Sequence, residues 1–268
     1  MNPVLSIVVP TRNEEANIAA CLDAFAAAGG AVETVVVDNG SDDRTRELAA
    51  AHGARVFVQG PERCAQRNRG WREARGAHVM FVDADMVVPP ETLAEVLGRI
   101  AGGLPDTCLY VREVRAGRGL RIRARNFERS FYDGTCVDAV RVVPRALLER
   151  TGGYDERLVA CEDWDLDRRL AAAGARTAIT AGHLVHNESR QGLGRLLAKK
   201  AYYAKSVAAY RAKWGDDATC RRQLGLGYRY FGVFFGRGGW RRLLRHPVLA
   251  LVMYLERIAV GLTYLLRR

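Results

Sequence analysis

Two aspartates separated by one residue, Asp83 and Asp85, close the apolar run VMFVDAD. At a strand end such a pair offers hard oxygen ligands, which suits Mg²⁺ or Mn²⁺ when the ion also holds phosphate oxygens. A second acidic pair, Glu162-Asp163, stands in CEDWDLDRRL. Acidic residues so placed collect at helix starts, where the macrodipole favours them. Two more polar stretches, Thr11-Arg12-Asn13-Glu14-Glu15 and Asp38-Asn39-Gly40-Ser41-Asp42, follow apolar runs. Any one of them is ordinary turn and cap chemistry. Three carboxylate-bearing loops on one rim form a candidate site.

Short apolar runs alternating with helical patterns would position these loops. Leu5–Pro10 is continuously apolar, as a parallel strand covered on both faces should be. Ile18, Leu22 and Phe25 then recur at helical spacing. The cycle continues with strand 33–38, helix 45–52, strand 55–59, helix 63–75, strand 78–83, helix 90–100 and a strand near 108–114. This alternation predicts an α/β fold, a doubly wound and mostly parallel sheet. Ligands of such sheets bind beyond the carboxyl ends of the strands, where the polar loops collect. Neither G-x-G-x-x-G nor G-x-x-x-x-G-K-[ST] occurs in the first two strand–helix loops. A dinucleotide fold or a P-loop loses support, and a divalent cation becomes the means of neutralising phosphates.

With these pieces in order, the sequence resembles the family 2 glycosyltransferases of the GT-A fold. The resemblance is carried by SIVVPTRNEE from Ser6, VVVDNGSDDRT from Val35, AQRNRGWREARGAHVMFVDAD from Ala65, GGYDE from Gly152 and CEDWDLDRRLAAAG from Cys161. It covers about two-thirds of the chain. It implies an inverting, metal-dependent transferase using a nucleotide-sugar, with UDP favoured. Pro10, Thr11 and Glu14 would line the nucleotide pocket, and Asp38 would accept a hydrogen bond from the base. Arg63, Arg67 and Asn68 would reach the nucleotide, with Ala84 beside it. Asp83, Asp85 and His186 would hold Mn²⁺ or Mg²⁺, with His183 a competitor for the last place. Asp163, with Glu162, would be the catalytic acidic motif and Asp163 the general base. Trp164 either packs beneath that motif or lines the acceptor pocket, and Phe131-Tyr132-Asp133-Gly134-Thr135 is either acceptor contact or core.

A nucleotidyltransferase would share the sheet and the metal, but its first loop is usually glycine-rich, and PTRNEE has no glycine. A non-catalytic nucleotide-binding module would be expected to have lost part of the acidic set, yet Asp83, Asp85 and Asp163 are all present.

Composition divides the chain at about residue 190, giving a catalytic region 1–190 and a helical region 191–268. The chain carries net charge +11, but from Arg190 onward there are 17 basic and 3 acidic residues, while the first 189 hold 24 and 27. All four lysines lie within Leu193–Trp214, which reads as a helix. Aromatics then interleave with arginines, as in Tyr228-Arg229-Tyr230-Phe231 and Trp240-Arg241-Arg242. Such a pattern suits lipid headgroups or single-stranded nucleic acid, and the catalytic motifs make lipid the better partner. Pro247–Leu266 is long enough to span a bilayer, yet Glu256 and Arg257 near its middle would each cost about 2.5–3.5 kcal/mol. An interfacial helix avoids this, and packing within the protein or a homo-oligomer is the alternative. The expectation is a membrane-interacting extension that makes the enzyme peripheral on the cytoplasmic membrane face, with a polyprenyl-linked lipid as acceptor; a soluble or polysaccharide acceptor is the alternative. Six scattered cysteines without a Cys-x-x-Cys pair, and no basic leader before Leu5, agree with a reducing compartment.

Overall fold

The computed structural model describes residues 3–26, 28–103, 105–187 and 207–265. Four parallel strands form one half of the sheet: β1 (Leu5–Thr11), β2 (Val32–Asp38), β3 (Arg55–Val58) and β4 (His78–Phe81). The other half is built from β5 (Met86–Val87), β6 (Thr107–Arg115), β7 (Val142–Pro144) and β8 (Arg176–His186). The eight-stranded order is β3-β2-β1-β4-β7-β6-β8-β5, with β7 antiparallel to both β4 and β6, β8 parallel to β6, and β5 antiparallel to β8. The sheet is therefore parallel where the apolar runs alternate with helices and mixed beyond β4.

The continuous apolar run of β1 is explained by its two covers. Leu5, Ile7 and Val9 pack with Ile18, Leu22 and Phe25 of α1 (Ile18–Ala26) and with Leu93 and Val96 of α4 (Pro90–Ala101). On the opposite face Val8 joins Cys64 and Trp71 of α3 (Arg63–Glu73), Leu147 and Leu148 of α6 (Arg145–Thr151), and Leu166 and Leu170 of α7 (Glu162–Ala172). Successive residues of a strand point to opposite faces, so a strand covered twice has no polar face to show. The close seat of α3 depends on Gly70: a Cβ there would stand 2.2 Å from Val8 Cγ1.

After β6, α5 (Leu120–Arg129) starts the surface on which the C-terminal region packs. Phe127 and Phe131 share an apolar cluster with Val233, Phe234, Leu243 and Met253. The FYDGT stretch thus contributes Phe131 to a core. Helical residues 207–214, together with Ala218–Leu224, Gly239–Arg245 and Pro247–Leu265, complete the described chain. The expected helix over 193–214 is seen only from 207; the proposed boundary at 190, Arg195, Lys199, Lys200 and Lys205 lie outside the described residues.

The two charges that interrupt the apolar terminal helix both pair with α5, Glu256 at the surface and Arg257 in the interior. Glu256 Oε1 accepts from Arg121 at 2.8 Å, and Arg257 pairs with Glu128. Among the described residues no helix is long and apolar enough to cross a membrane.

Candidate functional site

The carboxyl end of β4, the ends of β6 and β8 and the first turn of α7 enclose a cleft of about 300 Å³. Its lining brings together Arg63, Arg67, Asp83, Glu162, Asp163 and His186 from the sequence-derived set, and Trp164 beside them. Pro10, Thr11, Glu14, Asp38, Asn68, Ala84 and Asp85 do not line it, so the cleft is narrower than the expected site.

Arg67 organises this cleft. It is 1% exposed, and its guanidinium donates to Asp83 Oδ1 at 3.0 Å and to Asp163 Oδ1 at 3.1 Å, with Glu162 Oε1 at 3.7 Å. The Arg67 guanidinium also stands 5.1 Å from the centre of the Tyr154 ring. Instead of standing free for a nucleotide, Arg67 ties the strand-end aspartate to the acidic motif of α7. Burial alone would raise the Asp83 carboxyl, but Arg67, Arg141 and Arg63 outweigh it and hold Asp83 well below the usual carboxylate range.

Asp85 and His186 lie side by side because Met86 of β5 pairs with His186 of β8. His186 Nε2 is 3.1 Å from Asp85 Oδ2, and Nδ1 is 3.0 Å from Glu113 Oε1. Burial opposes charge on His186, yet its hydrogen bonds to Asp85 and Glu113 push the imidazole up to about 9. A hard divalent cation would displace the Nε2 proton, and the donor set then fits it: a carboxylate and an imidazole nitrogen are adjacent, and the second ring nitrogen is oriented by a carboxylate. Among the described residues no three His, Cys, Asp or Glu side chains converge into a self-sufficient metal site. Phosphate oxygens and water would complete the coordination, as Mg²⁺ and Mn²⁺ commonly require. Asp83, expected as a joint ligand, is directed to Arg67 and Arg141 instead. His183 is held through its backbone by Thr92 and does not line the cleft.

The remaining expected residues shape the surroundings. Asn68 accepts from the Tyr154 amide and Trp71 Nε1 and donates to Tyr154 O and Glu156, so its amide clamps the GGYDE turn. That approach requires Gly153, where φ is +73° and a Cβ would meet Trp71 Nε1 at 2.3 Å. Asp38 is fully buried and accepts from the amide and hydroxyl of Ser41, ordering the loop after β2; a base could reach it only if that loop opened. Glu14, half-buried, is raised first by desolvation and further by Asp85, Asp43 and Asp83, while Asn17 lowers it. Thr11 is buried with its Oγ1 lacking a hydrogen-bond partner, and its carbonyl accepts from Gln66. Pro10 and Ala84 are buried in the ends of β1 and the β4–β5 loop.

Two functional neighbours escaped the sequence reading, Glu113 and Arg141. Arg141 Nη2 bonds Glu113 Oε2 at 3.2 Å while Nη1 stands 3.8 Å from Asp83. Arg141 did leave a trace, a lone charge within the apolar run AVRVVP that ends at β7.

Glu162 is pushed up to about 7, first by burial and then by Asp163, with Arg67 and Arg63 acting against the rise. The folded carboxyl therefore holds its proton to higher pH than the unfolded chain does, and stability declines as pH rises from the ordinary value of 4.5 towards about 7. Glu162→Gln is expected to flatten that decline in melting temperature across the same window. An unchanged pH profile in the variant would mean that another group carries it.

Comparison with known proteins gives the arrangement its family. Residues 6–151, more than half the chain, match the model of Glycosyl transferase family 2. A PGL/p-HBAD biosynthesis glycosyltransferase of Mycobacterium bovis is 30% identical over 179 residues, 62% of this chain and 69% of that protein. An undecaprenyl-phosphate 4-deoxy-4-formamido-L-arabinose transferase of Pseudomonas aeruginosa is 34% identical over 116 residues, 37% of this chain and 33% of that protein. Among solved structures, S. aureus TarS 1-349 in complex with UDP-GlcNAc superposes with a TM-score of 0.63 at 20% identity, covering 92% of this chain and 79% of that one. The mannosyltransferase PcManGT from Pyrobaculum calidifontis, in complex with GDP-Man and Mn²⁺, gives 0.60 at 19% identity, covering 99% and 81%. The fold is accordingly the expected α/β GT-A fold, and the chain belongs to glycosyl transferase family 2.

Proposed function

We propose that the protein transfers a sugar, with inversion, from a nucleoside diphosphate to a hydroxyl or phosphate of a polyprenyl-linked lipid. The observation that carries this reading is the cleft in which Arg67 joins Asp83, beside Asp85 and His186, to Asp163. A divalent cation held by Asp85 and His186 supplies, when bound, Lewis-acid stabilisation of the departing diphosphate. Glu113 orients the imidazole for that task. Arg67 holds Asp163 through Oδ1, and the Asp163 side chain is 27% exposed toward the cleft. Asp163 takes the proton of an acceptor hydroxyl as the new bond forms on the face of the sugar opposite the leaving group; a phosphate acceptor attacks as the anion and needs no base. One base and one displacement invert the anomeric carbon.

The family supports sugar transfer, and the complexes of neighbouring folds with UDP-GlcNAc and GDP-Man support a nucleotide-sugar donor. The name of the Pseudomonas relative supports a polyprenyl-linked acceptor. Titration calorimetry with UDP and with GDP in the presence of Mn²⁺, on wild type and Asp85→Ala, tests the donor side. One nucleotide should bind in a metal-dependent manner, with affinity falling about 10–100-fold in the variant. Failure of both nucleotides to bind folded wild type would sink this reading and return the protein to a non-catalytic module.

A further inference from the structure

We infer that the outer face of the two C-terminal helices docks on an anionic lipid bilayer. This deepens the lipid-acceptor reading above and rests on it for the link to catalysis. The terminal helix has two apolar faces, and the described residues of the fold cover one of them. Met253 is buried with Leu249, Ala250 and Tyr254 against the Phe127, Phe131 and Phe234 cluster. Val248, Leu251, Leu255 and Ile258 recur at three, four and three residues, forming one stripe on the opposite side. These four are 50–61% exposed. The preceding helix Gly239–Arg245 adds Leu244 and Trp240, 71% and 45% exposed, one turn before the stripe begins in the chain.

Charge decides the occupant. Glu256 is the one acidic residue between Gly239 and Leu265, and it is turned to Arg121. Arg242 and Arg257 also point inward, to Ser130 and to Glu128. Among the described residues, the exposed ionic groups of these two helices are then Arg241, stacked 5.3 Å over Trp240, and Arg245, and the neighbouring α5 adds Arg121, whose side chain is 75% exposed. An apolar stripe edged by these cations matches anionic headgroups above an acyl layer. A second copy brought face to face would set like charges against each other.

The face also connects to the cleft. Arg257 Nη2 donates to the carbonyl of Arg229 at 2.6 Å, and the Arg229 guanidinium stands 5.7 Å from the ring of Trp164, which lines the cleft. The helix that would carry the bilayer is thus tied, through its inner side, to the wall that carries Asp163.

Flotation of the full chain with vesicles tests the assignment. It should float with vesicles of equal parts phosphatidylcholine and phosphatidylglycerol, and about tenfold less with phosphatidylcholine alone or in high salt. Leu251→Glu/Leu255→Glu, on exposed positions, should lose about tenfold or more of that binding while its calorimetric affinity for UDP or GDP stays that of wild type. Absence of flotation with nucleotide binding intact would overturn the inference and leave the proposed function standing. A dimer by light scattering that the double variant dissolves would overturn it too, assigning the face to a second copy. Flotation without nucleotide binding would sever the face from catalysis and overturn the donor reading instead.

Discussion

Asp163→Asn should lower turnover about 10²–10⁴-fold, the range for loss of a positioned general base, with little change in nucleotide affinity. Asparagine keeps an oxygen for Arg67, which donates to Asp163 Oδ1 at 3.1 Å, but cannot take a proton. The neighbouring Glu162 supplies the contrast. Burial and Asp163 push its carboxyl up, so Glu162→Gln resembles the protonated residue and should cost less than about tenfold in turnover. Steady-state donor turnover with parallel calorimetry separates the two. Near-wild-type turnover in Asp163→Asn, with a large loss in Glu162→Gln, would exchange their roles and leave Asp163 as a helix-start charge.

Arg67→Met should destabilise the protein by about 3–5 kcal/mol, because removing one member of a buried ion network leaves the others uncompensated. The stranded groups are Asp83, Glu162 and Asp163, around a side chain that is 1% exposed. Urea unfolding measures the loss, which should be larger at pH 8 than at pH 6, because Glu162, no longer lowered by Arg67, takes up a proton in the variant. Arg67→Lys keeps the charge but not the fork. A single ammonium cannot reproduce the planar spacing that serves Asp83 and Asp163 together, so this variant should fold while turnover falls more than nucleotide affinity. A Met variant as stable as wild type would show that the three carboxylates are solvated or neutral without Arg67.

How far the sequence could be read follows from which interactions are local. The parallel strands were legible because cover on both faces leaves runs such as LSIVVP and TVVVD with no polar alternation. The short β5 and β7 were not: two and three residues carry no period, and they exist through pairing with His186 and Val185 and with Val79 and Met80. The same limit applied to the site. Asp83, Glu162 and Asp163 announced themselves by neighbours in the chain, and His186 by its place after the second half. Glu113 lay in TCLYVREVR, where nothing in the local pattern sets it apart from the other charges of a strand. The resemblance placed Arg67 and Asn68 at the nucleotide; their partners, at sequence separations of 96 and 86 residues, turned one into a bridge and the other into a clamp.

One planar group spans from the loop after β4 to the first turn of α7, touching the first at 3.0 Å and the second at 3.1 Å. The gap between donor and base is therefore gauged like the jaws of a caliper, and the gauge belongs to α3. A chimera that keeps residues up to Ala77 and takes its remaining chain from a relative would inherit this jaw setting from the N-terminal parent, whatever acceptor wall it acquired. Exchanging acceptors by recombination thus calls for a crossover before Arg63, so that the guanidinium travels with the carboxylate it holds.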